Sequence, residues 1–141
     1  MQRKANARWQ GTAKEGSGTL STQSGTLTDV PYTFKARFGD GKGTNPEELI
    51  AAAHAGCFSM ALSAQLGTMG LTPAEIRTSA AVSLEKVGEG FAITAVHLTV
   101  KAKVPGADAP QFQTAANNAK AGCPVSKVLN ATITMDATLE S

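Results

Sequence analysis

The chain has 141 residues, with 13 Lys and Arg against 11 Asp and Glu, so its formal net charge is only +2. This length suffices for one compact domain but not comfortably for two. The near balance of charge excludes a strongly basic nucleic-acid-binding surface. Charged residues make up 17% of the chain, below the roughly 25% usual in soluble domains. The low charge suggests that another subunit covers part of the surface.

The first 38 residues carry the signals of three short strands in a meander. Apolar and polar residues alternate around Ala7 and Trp9, the segment 19–23 is β-prone, and alternation returns over 31–38. Clusters rich in Gly, Ser and Thr separate these segments. Arg37 is therefore predicted to end the third strand, before a glycine-rich loop over 39–43. The usual role of an arginine at such a place is a solvated strand end.

A long helix is predicted from Pro46 to residue 65 or 66. Asn45 is a typical N-cap, proline suits the first helical position, and Glu48 stands three residues after the cap. Gly67 is suited to end the helix. Nearly all residues of this helix are apolar or small, so we expect it to be buried on most sides, within the fold or within a dimer.

The second half of the chain alternates between strand and helix signals. The pattern predicts a hairpin of strands 80–87 and 91–104 around the turn 88–90. A helix follows from about 108–110 to 120 or 121, then a short helix over 123–129 and a closing strand over 131–139. The order β-β-β-α-β-β-α-α-β predicts the α+β class, as one domain over 1–141.

Targeting and metal-binding signals are missing from the sequence. The first six residues are polar and lack the apolar core of a signal peptide. The most apolar segment, 46–66, contains too many polar residues to suit a bilayer. We therefore expect a cytoplasmic protein without a membrane span, with both thiols reduced at rest. Neither a CxxC motif nor zinc-finger spacing is present, so no metal site or cofactor is expected.

The two cysteines occupy different kinds of position. Cys57 lies in the middle of the long helix, where an inert buried thiol is the simplest reading, and His54, one turn earlier, is assigned to packing. Cys123 lies at a helix start, where free backbone N–H groups favour a thiolate, although a cysteine can also merely fill that position. The pair suggests a reversible disulfide between two elements, but sequence separation does not establish that they meet.

Glu47 and Glu48 have a sufficient structural role as acids in the first turn of the helix. Their phases differ, because at about 100° per residue Glu47 lies about 80° from Cys57 around the helix and Glu48 lies on the opposite side. Glu47 is also about 15 Å from Cys57 along the axis. If Glu47 serves the thiol, either a long arginine bridges the gap or the glutamate comes from a second chain.

Two long motifs make the chain resemble the OsmC/Ohr family of thiol peroxidases, and within it the OsmC branch. The strand 31–38 and the hairpin 82–93 fit the same family, so the resemblance covers essentially the whole chain. In one position the sequence departs from it, since Gly56 stands where this family has Ala. The two motifs run from Gly43-Thr44-Asn45-Pro46-Glu47-Glu48-Leu49-Ile50 into Ala52-Ala53-His54-Ala55-Gly56-Cys57-Phe58-Ser59-Met60-Ala61-Leu62, and over Ala119-Lys120-Ala121-Gly122-Cys123-Pro124-Val125-Ser126-Lys127.

The resemblance implies an enzyme that reduces organic hydroperoxides in preference to hydrogen peroxide, in oxidative or osmotic stress defence. It implies that Cys57 is the peroxidatic cysteine and Cys123 the resolving one, joined by a disulfide in the cycle. It places Arg37 at the thiolate-stabilising arginine and Glu47 at the carboxylate that holds it. It further implies antiparallel sheets around a buried central helix, an intertwined homodimer with sites at the subunit interface, and re-reduction by a dithiol such as a lipoylated protein.

Two other functions remain open from the residues alone. The first is a non-catalytic carrier of apolar ligands, in which the thiols have no role. The second is a thiol redox sensor that forms the Cys57–Cys123 disulfide and passes the signal to a partner protein. A catalyst turns over many times, whereas a sensor reacts once per chain and a carrier does not depend on Cys57.

Overall fold

The computed structural model describes residues 1–141 and contains six strands and four helices in the order β-β-β-α-α-β-β-α-α-β. The α+β class is confirmed, with two three-stranded sheets and one long helix. The chain divides into two compact units, Met1–Leu49 and Ile50–Ser141.

The N-terminal unit contains the predicted meander. Strands β1 (Ala5–Gln10), β2 (Ser17–Thr22) and β3 (Val30–Thr33) pair antiparallel in that order. Gly18 pairs with Trp9 on one side and with Tyr32 on the other, and the two rings lie 5.1 Å apart between centroids. A Cβ at Gly18 would come within 2.6 Å of the Tyr32 ring, so this aromatic pair requires glycine between its members.

The third strand is shorter than its alternation predicts. It ends at Thr33, and helix α1 (Phe34–Phe38) follows directly, so the prediction of a strand over 31–38 with Arg37 at its end is wrong for its second half. The cause is an N-cap, because the Thr33 hydroxyl accepts a hydrogen bond from the Ala36 N–H at 3.1 Å. Arg37 therefore lies in the last turn of a five-residue helix.

The second sheet lies in the C-terminal unit and is mixed. Strands β4 (Glu75–Val87) and β5 (Gly90–Lys103) form the predicted hairpin, with β4 starting five residues earlier than predicted. Strand β6 (Thr132–Glu140) pairs parallel to β5, which corrects the expectation of purely antiparallel sheets. A parallel pair needs a long crossover, and helices α3 (Ala109–Gly122) and α4 (Pro124–Val128) supply it.

The long helix α2 (Pro46–Thr68) ends two or three residues later than predicted. One stripe at four-residue spacing is buried, namely His54, Phe58, Leu62 and Leu66. The last three join the core of the C-terminal unit, together with the inward side of β5 and with Phe112 of α3. The opposite face of α2 is exposed in the single chain, with Met60 at 77%, so the expected burial on most sides is not found within one chain.

Helix α2 is also long and apolar enough, by length and composition, to cross a membrane. The prediction that no stretch suits a bilayer, made from the polar residues within 46–66, is therefore wrong by this measure. The buried stripe of α2 packs in the hydrophobic cluster of the C-terminal unit, which is the position of a core helix in a soluble fold.

Candidate active site

The two cysteine sulfur atoms meet within the C-terminal unit. The Sγ atoms of Cys57, on α2, and Cys123 lie 3.0 Å apart, and both thiols are free. Cys123 lies at the junction of two helices, where its N–H donates to the carbonyl of Ala119 at 2.9 Å and Pro124 begins α4. Because α3 ends and α4 begins at this residue, its backbone is fixed from both sides.

The surroundings of the two sulfurs act differently on their ionisation. Burial raises the pKa of the Cys57 thiol, and its hydrogen bond with Cys123 raises it further. Burial also opposes ionisation of Cys123, but hydrogen bonds from Cys57 and from the N–H groups of Ser126 and Val125 outweigh it and lower the pKa of Cys123. Within this unit, Cys123 has the hydrogen-bond donors and Cys57 lacks an equivalent set.

A buried histidine approaches this pair from α2. His54 is fully buried, and its Nε2 atom lies 2.7 Å from the Ser126 hydroxyl of α4. Burial lowers the pKa of His54. His54 is predicted from the sequence to serve packing, and no sequence signal points to its contact with Ser126. The two residues are 72 positions apart, so their contact leaves no local pattern.

Arg37 and Glu47 form an ion pair in the N-terminal unit. The Arg37 Nη2 donates to Glu47 Oε1 at 2.7 Å, and Nε donates to both carboxylate oxygens at 3.2 Å. The Glu47 side chain is only 12% exposed, whereas that of Arg37 is 39% exposed. Both residues belong to one chain, so the pair itself needs no second subunit.

A closed loop brings this arginine and glutamate together. Gly43 adopts φ +120, where a Cβ would lie 2.4 Å from the Pro31 carbonyl oxygen, and the next N–H, that of Thr44, donates to that oxygen at 3.0 Å. Asn45 then donates from Nδ2 to the Ala36 carbonyl at 3.3 Å and accepts from the Glu48 N–H at 2.8 Å. Asn45 is thus the predicted N-cap of α2 and also ties α1 to it.

The carboxylate of Glu48 has a different hydrogen-bond partner from that of Glu47. It accepts a hydrogen bond from the Thr44 hydroxyl at 2.8 Å, a contact that steadies the helix start. This agrees with the phase argument, which separated the two glutamates around the helix.

Arg37 is one of the residues that line a cavity of about 320 Å³ in the N-terminal unit. That volume falls at the lower end of the usual range for small-molecule sites. Four of the ten residues that line it are aromatic, and Arg37 is the one charged residue among the ten. The lining consists of Trp9, Ala13, Tyr32, Thr33, Phe34, Arg37, Phe38, Thr44, Asn45 and Pro46.

No group of three or more His, Cys, Asp or Glu side chains is arranged to hold a metal ion. The four predicted site residues form two pairs in the structure, Cys57 with Cys123 and Arg37 with Glu47.

The amino-acid sequence is similar to one protein family and to named members of two related groups. Residues 39–138 match the model of the family described as OsmC-like protein. The chain is 56% identical over 141 residues to peroxiredoxin OsmC of Escherichia coli (strain K12), covering 100% of this chain and 99% of that protein. It is 34% identical over 131 residues to the organic hydroperoxide resistance protein of Xanthomonas axonopodis pv. citri (strain 306), covering 91% and 90% of the two chains.

Solved structures give the same result for the fold. The organic hydroperoxide resistance protein OhrB of Bacillus subtilis superposes with a TM-score of 0.71 at 26% identity, covering 96% of this chain and 98% of that one. An OsmC-like protein from Vibrio cholerae, at 14% identity, shares the fold with a TM-score of 0.77. Fold, motifs and full-length identity agree, and the chain belongs to the OsmC family.

Proposed function

We propose that this protein is a thiol-dependent peroxidase that reduces organic hydroperoxides to alcohols and acts in stress defence. The observation that carries the proposal is the 3.0 Å contact between the Cys57 and Cys123 sulfurs, since a sulfenic acid formed on one is within reach of the other. The names of the Escherichia coli and Xanthomonas relatives, a peroxiredoxin and an organic hydroperoxide resistance protein, support the same chemistry.

The cycle has three steps. The Cys57 thiolate attacks the terminal oxygen of the hydroperoxide, so the O–O bond breaks, the alkoxide leaves as the alcohol after protonation, and Cys57 becomes a sulfenic acid. The Cys123 thiolate attacks the Cys57 sulfur, so the S–S bond forms and hydroxide leaves to become water. A dithiol, such as a lipoylated protein, then supplies two electrons and two protons to restore both thiols.

In this proposal Arg37 stabilises the thiolate of Cys57 and polarises the peroxide, and Glu47 holds the guanidinium in one orientation. A buried thiol needs such a cation, because desolvation alone raises its pKa. The bidentate hydrogen bonding of Arg37 with Glu47 supports the role of the carboxylate. The aromatic cavity beside Arg37 supports a preference for organic hydroperoxides over hydrogen peroxide.

The working unit in this proposal is a cytoplasmic homodimer of single-domain chains, without nucleic acid, membrane or cofactor. The family match over 39–138 runs across the boundary of the two units at residue 49, which supports one domain over 1–141. The exposed apolar face of α2 and the low content of charge support a dimer.

Peroxide turnover tests the enzymatic proposal. Purified protein is mixed with cumene hydroperoxide or hydrogen peroxide and a dithiol, and peroxide loss is counted per chain. We expect many turnovers, faster with the organic substrate, and none for Cys57→Ser. We expect Cys123→Ser to form a sulfenic acid that over-oxidises, visible as added oxygen in the intact mass.

The other functions give different results in the same assay. A single loss of two thiols per chain without turnover would identify a redox sensor. Peroxide-independent binding of an apolar ligand that Cys57→Ser leaves unchanged would identify a carrier. Either result would refute the peroxidase.

Oligomeric state is tested separately by light scattering. The expected mass is twice 14.5 kDa. Met60→Lys on the exposed face of α2 should favour the monomer, whereas Val87→Lys, at a residue that is 56% exposed near the end of β4, should not. A monomeric native protein would exclude the dimer.

A further inference from the structure

One buried nitrogen of the molecule has no hydrogen-bond partner. It is Nδ1 of His54, in a side chain that is completely buried. The other ring nitrogen, Nε2, lies 2.7 Å from the Ser126 hydroxyl. The imidazole is therefore held from one side only, through Ser126.

This one-sided contact favours one tautomer. A neutral imidazole has one N–H donor and one bare acceptor nitrogen. Buried N–H groups without a partner are rarer than under-satisfied acceptors, because an unmet donor loses its whole hydrogen bond. The proton is therefore expected on Nε2, which donates to the Ser126 oxygen, and Nδ1 is left bare.

The tautomer in turn fixes the direction of the serine hydroxyl. When the Ser126 oxygen accepts from His54, its own hydrogen is free to be donated elsewhere. The structure provides a recipient nearby, because Ser126 lies in the first turn of α4, the helix that Cys123 caps. The Ser126 side chain is also among the hydrogen-bonding groups that lower the pKa of the Cys123 thiol. Donors thus follow one another from His54 to Ser126 to the Cys123 sulfur.

We propose that His54 is a positioning residue that orients the Ser126 hydroxyl toward Cys123 and so favours the thiolate of Cys123. The proposal rests on the proposed function for its meaning, since the thiolate of Cys123 is what attacks the sulfenic acid of Cys57. In that step the S–S bond forms, the S–O bond breaks, and the leaving hydroxide takes a proton to become water. His54 keeps its proton throughout and only directs a hydrogen bond.

The surroundings suit a neutral histidine in this role. Burial lowers the pKa of His54, so the ring is uncharged near neutral pH. The titratable neighbours along the hydrogen-bonded series are Cys57 and Cys123. The only charged residues on α3 and α4 are the cations Lys120 and Lys127, which do not favour a second positive charge on His54.

The test compares two amide variants of different reach. Gln places its side-chain nitrogen near the position of Nε2, whereas the shorter Asn places it near Nδ1. In the Cys57→Ser protein, where Cys123 is the sole thiol, thiolate absorbance against pH gives the pKa of Cys123 directly. We expect His54→Asn to raise this pKa by about one and His54→Gln to leave it within a few tenths.

Ser126→Ala supplies the matched comparison. It should raise the pKa of Cys123 as much as His54→Asn does, and the double variant should raise it no further, because His54 acts through Ser126. Equal pKa values for Asn and Gln variants, or additive effects in the double variant, would overturn the proposal.

A measurement on the native protein removes any dependence on how the variants fold. Nitrogen chemical shifts of the His54 ring report its tautomer, and the expected form carries the proton on Nε2. A proton on Nδ1 would refute the inference. Neither experiment uses peroxide, so an inactive enzyme with the expected tautomer and pKa values would refute the peroxidase and leave this inference standing.

Discussion

Cys57 and Arg37 differ in how their surroundings treat charge. The thiol is partly buried and has few donors of its own, so burial raises its pKa and leaves it a weak nucleophile. The arginine carries a permanent charge in a fixed orientation, because the nearly buried carboxylate of Glu47 accepts from both Nε and Nη2. A guanidinium fixed in this way loses little conformational entropy when it binds a further anion.

Substitution of this ion pair should slow peroxide reduction. We expect Arg37→Lys to reduce kcat/KM about 10- to 100-fold, because an ammonium cannot reproduce the fork that binds Glu47. The acid limb of the pH profile should also move to higher pH, because in the proposed mechanism Arg37 favours the thiolate of Cys57. Glu47→Gln should show the same change with a smaller amplitude.

Arg77 offers the control for this substitution. It pairs with Glu75 and Glu140 at 2.8 and 2.7 Å on the surface of the C-terminal unit. Arg77→Lys should leave kcat/KM unchanged. An equal loss in both lysine variants would mean that Arg37 matters for folding and not for the chemistry.

At the scale of elements, local chemistry explains which predictions succeed. Caps and periodicity predict the start of α2 at Pro46 and the hairpin of β4 and β5, because Asn45 and the turn 88–90 act on their immediate neighbours. The alternation through Tyr32 and Phe34 fails, because the Thr33 cap converts the same residues to a helix. The register of β6 and the contact of His54 with Ser126 depend on distant partners, which no short pattern records.

Gly56, within helix α2, is a glycine that neither a turn nor a close contact requires. A Cβ there would meet nothing within 4 Å, so alanine fits without a clash. We expect Gly56→Ala to raise the free energy of unfolding by about 0.5–1 kcal/mol, because glycine loses more backbone entropy in a helix. Urea unfolding measures the change.

Gly67, near the end of the same helix, is the comparison. A Cβ at this position also meets nothing within 4 Å, but helix ends fray, so Gly67→Ala should gain less. Loss of stability in Gly56→Ala would show instead that a partner chain packs closely on this face.

At the scale of the whole molecule, stability depends on pH through His54. Its pKa is lowered in the folded state from the ordinary value of 6.5, so the unfolded chain binds more protons below that value. The contribution of His54 to the free energy of unfolding is therefore fully present above pH 6.5. It is lost as the pH drops below that value, by up to about 1.4 kcal/mol per pH unit.

Chemical unfolding at a series of pH values measures this slope. His54→Gln, which cannot titrate, should show a flatter curve in the same range. An unchanged slope in His54→Gln would show that other groups cause the pH dependence.

The contact of Cys57 with Cys123 joins residues 66 positions apart. When the proposed disulfide forms, it closes a ring that contains both long strands of the second sheet and helix α3. A ring of this length lowers the conformational entropy of the unfolded chain, which raises the free energy of unfolding by about 4 kcal/mol. Each turnover then carries the protein between a linear and a looped chain, and the oxidised form resists unfolding more strongly than the reduced one. Oxidation by the substrate would thus stabilise the folded protein that reduces it.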